Sequence, residues 1–385
     1  MMVPGERLSN MGTLMEEYAQ RTGLKPLSES PDRYLWTDAF AVCNYLGLFR
    51  ETGRVEFREL AIRLVRQVHH TLGMHRNDSG MRGWISGLAP EEGELHPTAG
   101  GLRIGKILPE RMAGEPYNPY LEWDRDGQYY HYLTKWMHAL ARVGSVTGDP
   151  LFVTWAIELA QVAHARFVYT LPGSSQRRMY WKMSIDLSRP LVPSMGQHDP
   201  LDGLVTYHEL QFAAGRPVLS REIGDMAGIL RGLSLETDDP LGTGGLLADA
   251  SRIVQIRVKG GDSPCDLLTP ILTAALAGLE SFSRSGTLAL PATQRLAFRE
   301  LGLSIGLAGL ARLPGLLEEN PGMADEQGVS GQLIHSLLKY TPLREEIEQF
   351  WLNHTNRLND TWIGHHGINT VMLATSLAPD GFLIL

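Results

Sequence analysis

The feature that most constrains this chain is a helical period in its apolar side chains, recurring in paired blocks from one end to the other. Phe57, Leu60, Ala61, Leu64, Val65, Val68 and Leu72 fall on one stripe, with Arg58, Glu59, Arg63 and Arg66 off it. That spacing predicts an amphipathic helix. Phe152, Trp155, Leu159, Ala163 and Phe167 repeat it, and Ile223, Met226, Leu230 and Leu233 do so more briefly. Three other blocks, 36–49, 267–279 and 301–313, are apolar nearly all round. A helix without a polar face needs neighbours on most sides. Alternation of the two kinds therefore asks for two layers, with the all-round helices inside.

The order of the blocks supports hairpins. Residues 32–52 pair with 54–74 across a Thr-Gly-Arg turn, and 124–147 with 149–169 across Thr-Gly-Asp-Pro. Gly53 and Gly148 each follow a long helix, where a left-handed C-terminal cap is expected. Further hairpins are expected at 199–215 with 220–235, at 242–258 with 265–283, and at 293–312 with a helix in 328–355. Residues 10–28 supply a first helix and 361–378 a last one. Five or six hairpins fit the length, and no Pro/Ser/Gly-rich linker divides the chain. The expected fold is all-α: an (α/α)6 toroid in one domain, 1–385, with 1–30 as N-terminal extension and first helix. Strand signals are confined to short pieces near 83–88 and 101–108. The segment Gly100–Ile107 nearly spells a phosphate-binding loop, but it lacks a Ser or Thr after Lys106 and Pro109 stops any following helix. A small β-hairpin in the long loop is the better expectation there.

Charge removes some partners. The net charge is −8 and no run of Lys or Arg exceeds a pair, whereas a nucleic-acid partner would leave a basic patch. No unbroken apolar run reaches the roughly 18–20 residues of a membrane span, and the start lacks a secretory pattern. A cytoplasmic protein acting on a small molecule or oligosaccharide, without nucleic acid or membrane, is expected; oligomeric state is open. The two cysteines, Cys43 and Cys265, are too few for a disulfide framework. No zinc spacing or carboxylate cage occurs, so no metal or other cofactor is expected.

The chemistry concentrates in the long connections. Residues 75–123 and 170–198 carry aromatics, carboxylates and basic groups, and connections beyond roughly 12–15 residues are usually functional or disordered. Both lead into the start of an expected inner helix. Carboxylates recur there: Asp32 and Asp38, Asp124 and Asp126, Asp199 and Asp202. Asp32, Asp124 and Asp199 are expected as helix N-caps; Asp124 and Asp199 also remain substrate-contact candidates. Asp38, Asp126 and Asp202 lie deeper. Hydrolysis of a glycosidic bond needs two carboxyl groups, one of them protonated. Asp126 is the candidate general acid, Asp202 the candidate base or nucleophile partner, and Asp38 a substrate-orienting group. Trp36, Trp123, Tyr129 and Trp181 are candidates to stack on a sugar, with Arg125 and His131 beside them. Trp136 is expected in the core. His208, His365 and His366 lie in expected inner helices or at their mouths.

The hairpin series, with Trp36-Thr37-Asp38, Glu122-Trp123-Asp124-Arg125-Asp126 and Thr361-Trp362-Ile363-Gly364-His365-His366, resembles the six-hairpin glycosidase-like superfamily over residues 30–380. That resemblance implies a sugar bound at the inner-helix N-termini between carboxylates and rings. Within it, a glycoside hydrolase is the first expectation. An epimerase of the N-acylglucosamine or cellobiose type, passing protons through His208 and His365, is the alternative. A non-catalytic helical-repeat scaffold is a second alternative. A metal-dependent isoprenoid cyclase is disfavoured, because Asp238-Asp239-Pro240 does not supply its Asp-rich motif.

Overall fold

The computed structural model describes residues 3–320 and 328–385. The first nine helices are α1 (Pro4–Arg21), α2 (Leu35–Thr52), α3 (Val55–Leu72), α4 (Pro90–Leu95), α5 (Pro119–Asp124), α6 (Tyr130–Thr147), α7 (Pro150–Phe167), α8 (Asp199–Ala214) and α9 (Ser220–Leu230). Then come α10 (Pro240–Val258), α11 (Leu268–Arg284), α12 (Ala297–Leu310), α13 (Leu313–Glu318), α14 (Val329–Leu338), α15 (Pro342–Leu352), α16 (Asp360–Ile363), α17 (His366–Leu377) and α18 (Asp380–Leu383). Five short strands lie in the connections: β1 (Gln128–Tyr129), β2 (Val168–Thr170), β3 (Arg177–Met179), β4 (Lys182–Met183) and β5 (Pro190–Val192).

Contacts group these elements into two compact units. The N-terminal unit holds Ala19–Val42 and Val55–Leu233; the C-terminal unit holds the chain up to Tyr18, Cys43–Arg54 and Ser234–Leu385. In the N-terminal unit the α3 stripe is buried as its spacing predicts. Helix α6 packs on α7 and on α8, and α8 on α9. Helices α6 and α8 are buried on nearly every side over Trp136–Gly144 and Asp199–Leu210 respectively. They are inner-type helices, whose polar side chains must pair with one another. Tyr130 Oη donates to Tyr207 Oη at 2.8 Å, and His138 Nδ1 lies 2.9 Å from both Glu209 oxygens. The α6–α7 turn ends on Gly148 at φ 72°, the left-handed cap that only glycine adopts without strain.

In the C-terminal unit α10 packs on α12, α11 and α13, and α12 also meets α15 and α17. Close approach of α10 and α12 depends on glycine. A Cβ added at Gly306 would strike the backbone of Gly244, and one at Gly244 would strike that of Gly302. Two stretches, Cys265–Ala289 and Ala297–Glu318, are long and apolar enough to cross a membrane by length and composition. The sequence reading missed them by counting only unbroken runs. In the fold 44% and 67% of their apolar windows are buried against protein.

The expected β-hairpin in Gly100–Ile107 is replaced by irregular backbone. Gly101 and Gly105 take φ of 73° and 94°, so the segment bends twice and cannot fold back on itself as a ladder. Its polar groups pair singly instead: Ile104 N donates to Gly127 O, Gly105 N to Asp126, and Ile104 O accepts from Leu35 N. Four of the five strands fall in the other long connection, and β1 lies just before α6. β2 and β3 form a hairpin, and β1, β4 and β5 an antiparallel sheet in that order.

Candidate functional site

The short sheet positions the site. β1 pairs with β4 in the register Gln128↔Met183 and Tyr129↔Lys182. Tyr130 N, at the first turn of α6, donates to Trp181 O. Trp181 is thereby held over the start of α6, against Tyr129 and His131 (ring centroids 5.7 and 6.2 Å). Trp36, on the first turn of α2, closes on the His131 and Tyr132 rings at 5.9 and 5.2 Å. Trp123, at the end of α5, meets the Trp181 ring edge-on at 4.7 Å. The four aromatic candidates therefore form one cluster within the N-terminal unit.

His131 sits inside this ring wall yet keeps about a quarter of its side chain open to solvent. Burial pushes its pKa down to about 4, so the imidazole is neutral at pH 7. Trp181 Nε1 donates to its Nδ1 at 3.2 Å, which places the His131 proton on Nε2. Trp36 Nε1 is buried and has no hydrogen-bond partner among the described residues.

Asp199 approaches the same ring nitrogen of His131, its Oδ1 3.7 Å from Nδ1. It was expected as an N-cap, but α8 is capped at His198 and Asp199 is the first helical residue, its carboxyl bonded to no backbone amide. Loop backbone is laid against it: a Cβ at Gly196 would come within 2.5 Å of its carboxyl atoms. Asp199 Oδ2 is buried without a partner among the described residues. Burial, with the nearby Asp202 charge second, pushes its pKa up to about 8. At neutral pH the Asp199–His131 contact is therefore between two uncharged groups, a carboxylic acid and an imidazole.

Asp202, one turn further along α8, is the ionised member of this pair. Lys135 Nζ donates to its Oδ1 at 2.7 Å and Thr134 Oγ1 to its Oδ2. Both donors come from α6, so the α6–α8 packing that builds the core also sets the charge state of the site.

The remaining candidates are not part of this cluster. Asp126 is buried, and its two oxygens accept from Arg76, Arg103, Gly105 N and Gly127 N. With two guanidiniums and two amides on it, Asp126 is a tether for the 75–128 connection. Asp38 accepts from Arg33 and from the Tyr34 backbone amide, so it locks the entry of α2 rather than reaching for a ligand. Asp124 ends α5 instead of starting an inner helix, and is exposed; α6 begins only at Tyr130 because Gly127 and β1 intervene. Arg125 is bound by Glu115 at 2.5 and 2.8 Å. Asp32 donates its amide to Thr22 O and lies before α2, whose first turn is closed by Thr37 and Asp38 instead.

His208 is buried within α8. His365 and His366 belong to the C-terminal unit. His365 is exposed beside Phe298, with its pKa lowered by partial burial and then by Arg299; His366 pairs with Glu17 at 2.9 Å. The same unit has a cavity of about 270 Å³ lined by Arg295, Arg299, Glu300, Asp238 and Gln294 among others, separate from the cluster around His131. Trp136 is core, donating to His69 Nε2. Among the described residues no group of three or more His, Cys, Asp or Glu side chains is placed to hold a metal ion. Sequence reasoning missed Lys135 and Thr134. The available signal was their position, one turn after His131 and Tyr130 on a helix destined for the interior.

No protein-family model matches the sequence, and no curated protein matches it by sequence. Solved structures do match in shape. An alpha-mannanase from Bacteroides thetaiotaomicron aligns over 98% of this chain and 99% of its own, with 10% identity and a TM-score of 0.54. A cellobiose 2-epimerase from Spirochaeta thermophila aligns over 96% and 97%, with 13% identity and a TM-score of 0.50. The chain therefore has an all-α fold of the kind these two enzymes have.

Proposed function

We propose that this protein is a carbohydrate-active enzyme that hydrolyses glycosidic bonds, with Asp199 as the general acid. The observation that carries the reading is Asp199 itself. It is a buried carboxyl with one oxygen unpartnered among the described residues, keeping its proton up to about pH 8 and set beside a neutral histidine in a wall of rings. A glycosidase acid must be protonated when substrate arrives, and burial beside a second carboxylate is how such a group is made. Similarity to a mannanase and an epimerase adds that this fold serves sugar chemistry elsewhere, although fold alone does not fix function.

In this mechanism the Asp199 proton passes to the glycosidic oxygen as the bond to the anomeric carbon breaks. Asp202, held ionised by Lys135 and Thr134, favours the positive charge that develops on that carbon. Water adds there and releases a proton, and Asp199 regains its own from solvent. His131 Nε2–H and the Trp36 indole N–H donate to sugar hydroxyls, while Trp181 and Tyr129 offer ring faces to the sugar's C–H surface. Asp126, the acid expected from sequence, passes that role to Asp199 and keeps the connection in place.

The test is release of new reducing ends from a panel of neutral α- and β-linked di- to hexasaccharides, followed from pH 5 to 9. Activity should fall as pH rises through about 8, where the acid loses its proton. Asp199→Asn should lower kcat by about 10²-fold or more. Full activity in that variant, or incorporation of solvent deuterium next to the carbonyl of a reducing sugar without hydrolysis, would refute the hydrolase.

A further inference from the structure

Apolar side chains also stand exposed beyond the ring cluster. Across 107–123 a run of apolar side chains stands in solvent: Ile107 is 91% exposed, Met112 67%, Tyr117 53%, Tyr120 85% and Trp123 50%. So much exposed apolar surface in one connection is unusual in a folded chain and marks a contact surface. Tyr120 and Trp123 are three residues apart on α5, so both rings occupy one face of that helix. Trp123 meets Trp181 at 4.7 Å, Trp181 stacks on His131 at 6.2 Å, and His131 touches Asp199. Contacts thus run from half-exposed Trp123, on the same face of α5 as Tyr120, through Trp181 and His131 to the buried acid.

We infer that the substrate is an oligosaccharide longer than a disaccharide, whose outer residues lie along the Tyr120–Trp123 face of α5 while one linkage sits at Asp199. The inference rests on the reading of Asp199 above and names its substrate class. Several features favour a sugar chain over a protein partner on this face. Polar groups interleave the rings: Asp124 is exposed next to Trp123, and the Arg111 guanidinium lies over Tyr117 at 5.7 Å. A protein-binding patch would centre on a dry apolar core with a polar rim. A sugar presents alternating C–H faces and hydroxyls, which this alternation of rings and charges matches. A neutral chain is favoured, because Asp124 would repel a polyanion at the first exposed ring.

Calorimetry on the Asp199→Asn protein separates binding from turnover. The probes are neutral series of two to six residues: β-1,4-glucose, β-1,4-mannose, α-1,6-mannose and β-1,4-xylose. One series is expected to tighten from two to four residues and then level. Tyr120→Ala should reduce that gain by about 5- to 10-fold, the loss of one ring contact. Tyr120 stands in solvent, so the variant should melt with the parent. Equal affinity for two and four residues, no binding by any series, or a length dependence unmoved by Tyr120→Ala would each overturn the inference. A concentration-dependent dimer abolished by Tyr120→Ala would assign the face to self-association and overturn it too. If long chains bind as expected but the Asp199 protein never cleaves them, the hydrolase falls and the path stands.

Discussion

Replacing Asp199 with Asn should stabilise the protein, and by an amount that grows with pH. In the unfolded chain this carboxyl loses its proton near pH 3.8; in the fold it holds it to about 8. A group whose folded pKa is raised contributes fully below the unfolded value and progressively less as pH climbs towards the folded one. Each pH unit in that window costs about 1.4 kcal/mol, so burial of Asp199 alone would cost ~5–6 kcal/mol at pH 8. Asn does not titrate, so any packing or hydrogen-bond penalty of the amide is the same at every pH and drops out of the comparison. Melting temperatures of parent and variant, taken every half unit from pH 4 to 9, should differ least at pH 4. The gap should widen to pH 8 in the variant's favour, by roughly 11 °C at roughly 2 °C per kcal/mol, and then stay level. A gap independent of pH, or one that narrows, would mean that Asp199 is ionised in the fold and would refute the reasoning.

Other substitutions separate the residues that tune Asp199 from those that only hold the structure. Asp202→Asn removes the negative charge that helps raise Asp199, and Lys135→Met removes the positive charge that lowers it. The alkaline limb of the activity profile should therefore move to lower pH in the first and to higher pH in the second; shifts of the same sign would contradict the assignment. Asp126→Asn strips the counter-charge from Arg76 and Arg103, and should cost about 3 kcal/mol in denaturant unfolding without moving that limb. Gly306→Ala forces a methyl into the Gly244 backbone and should cost about 2–3 kcal/mol. Gly12→Ala, in α1 with nothing within 4 Å of the new atom, should stabilise by up to about 1 kcal/mol.

Much of the helical framework was legible because burial and period speak directly through side-chain type. The α3 stripe from Phe57 to Leu72 is buried residue for residue, and the turns after Thr52 and Thr147 end on left-handed Gly53 and Gly148. Of the blocks apolar on all sides, α2 and α12 are buried nearly all round, whereas α11 buries one face only, and α10, which the pattern did not single out, is buried throughout Leu246–Ile256. The C-terminal partner of 293–312 broke into α14 and α15 around Pro342, a residue that starts a helix more readily than it continues one. The site was half legible. Composition drew attention to Trp36, Trp123, Tyr129, His131 and Trp181, and the fold gathers them. It could not rank the aspartates, because rank depends on which donors reach each carboxylate. Arg76 and Arg103 lie 50 and 23 residues before Asp126, and no local pattern says that both end on it. Asp199 looks like an N-cap in sequence. Only the loop at Gly196, folded over its carboxyl, removes it from water and from the backbone amides it would otherwise cap.

The central claim is a proton on Asp199 at neutral pH, and infrared spectroscopy reads that proton directly. In the difference spectrum of the unmodified protein minus Asp199→Asn, a protonated carboxyl shows a carbonyl band that an ionised one lacks. The account predicts that band at pH 7 and its disappearance as pH rises through about 8. Its absence at pH 7, with carboxylate bands in its place, would contradict the account.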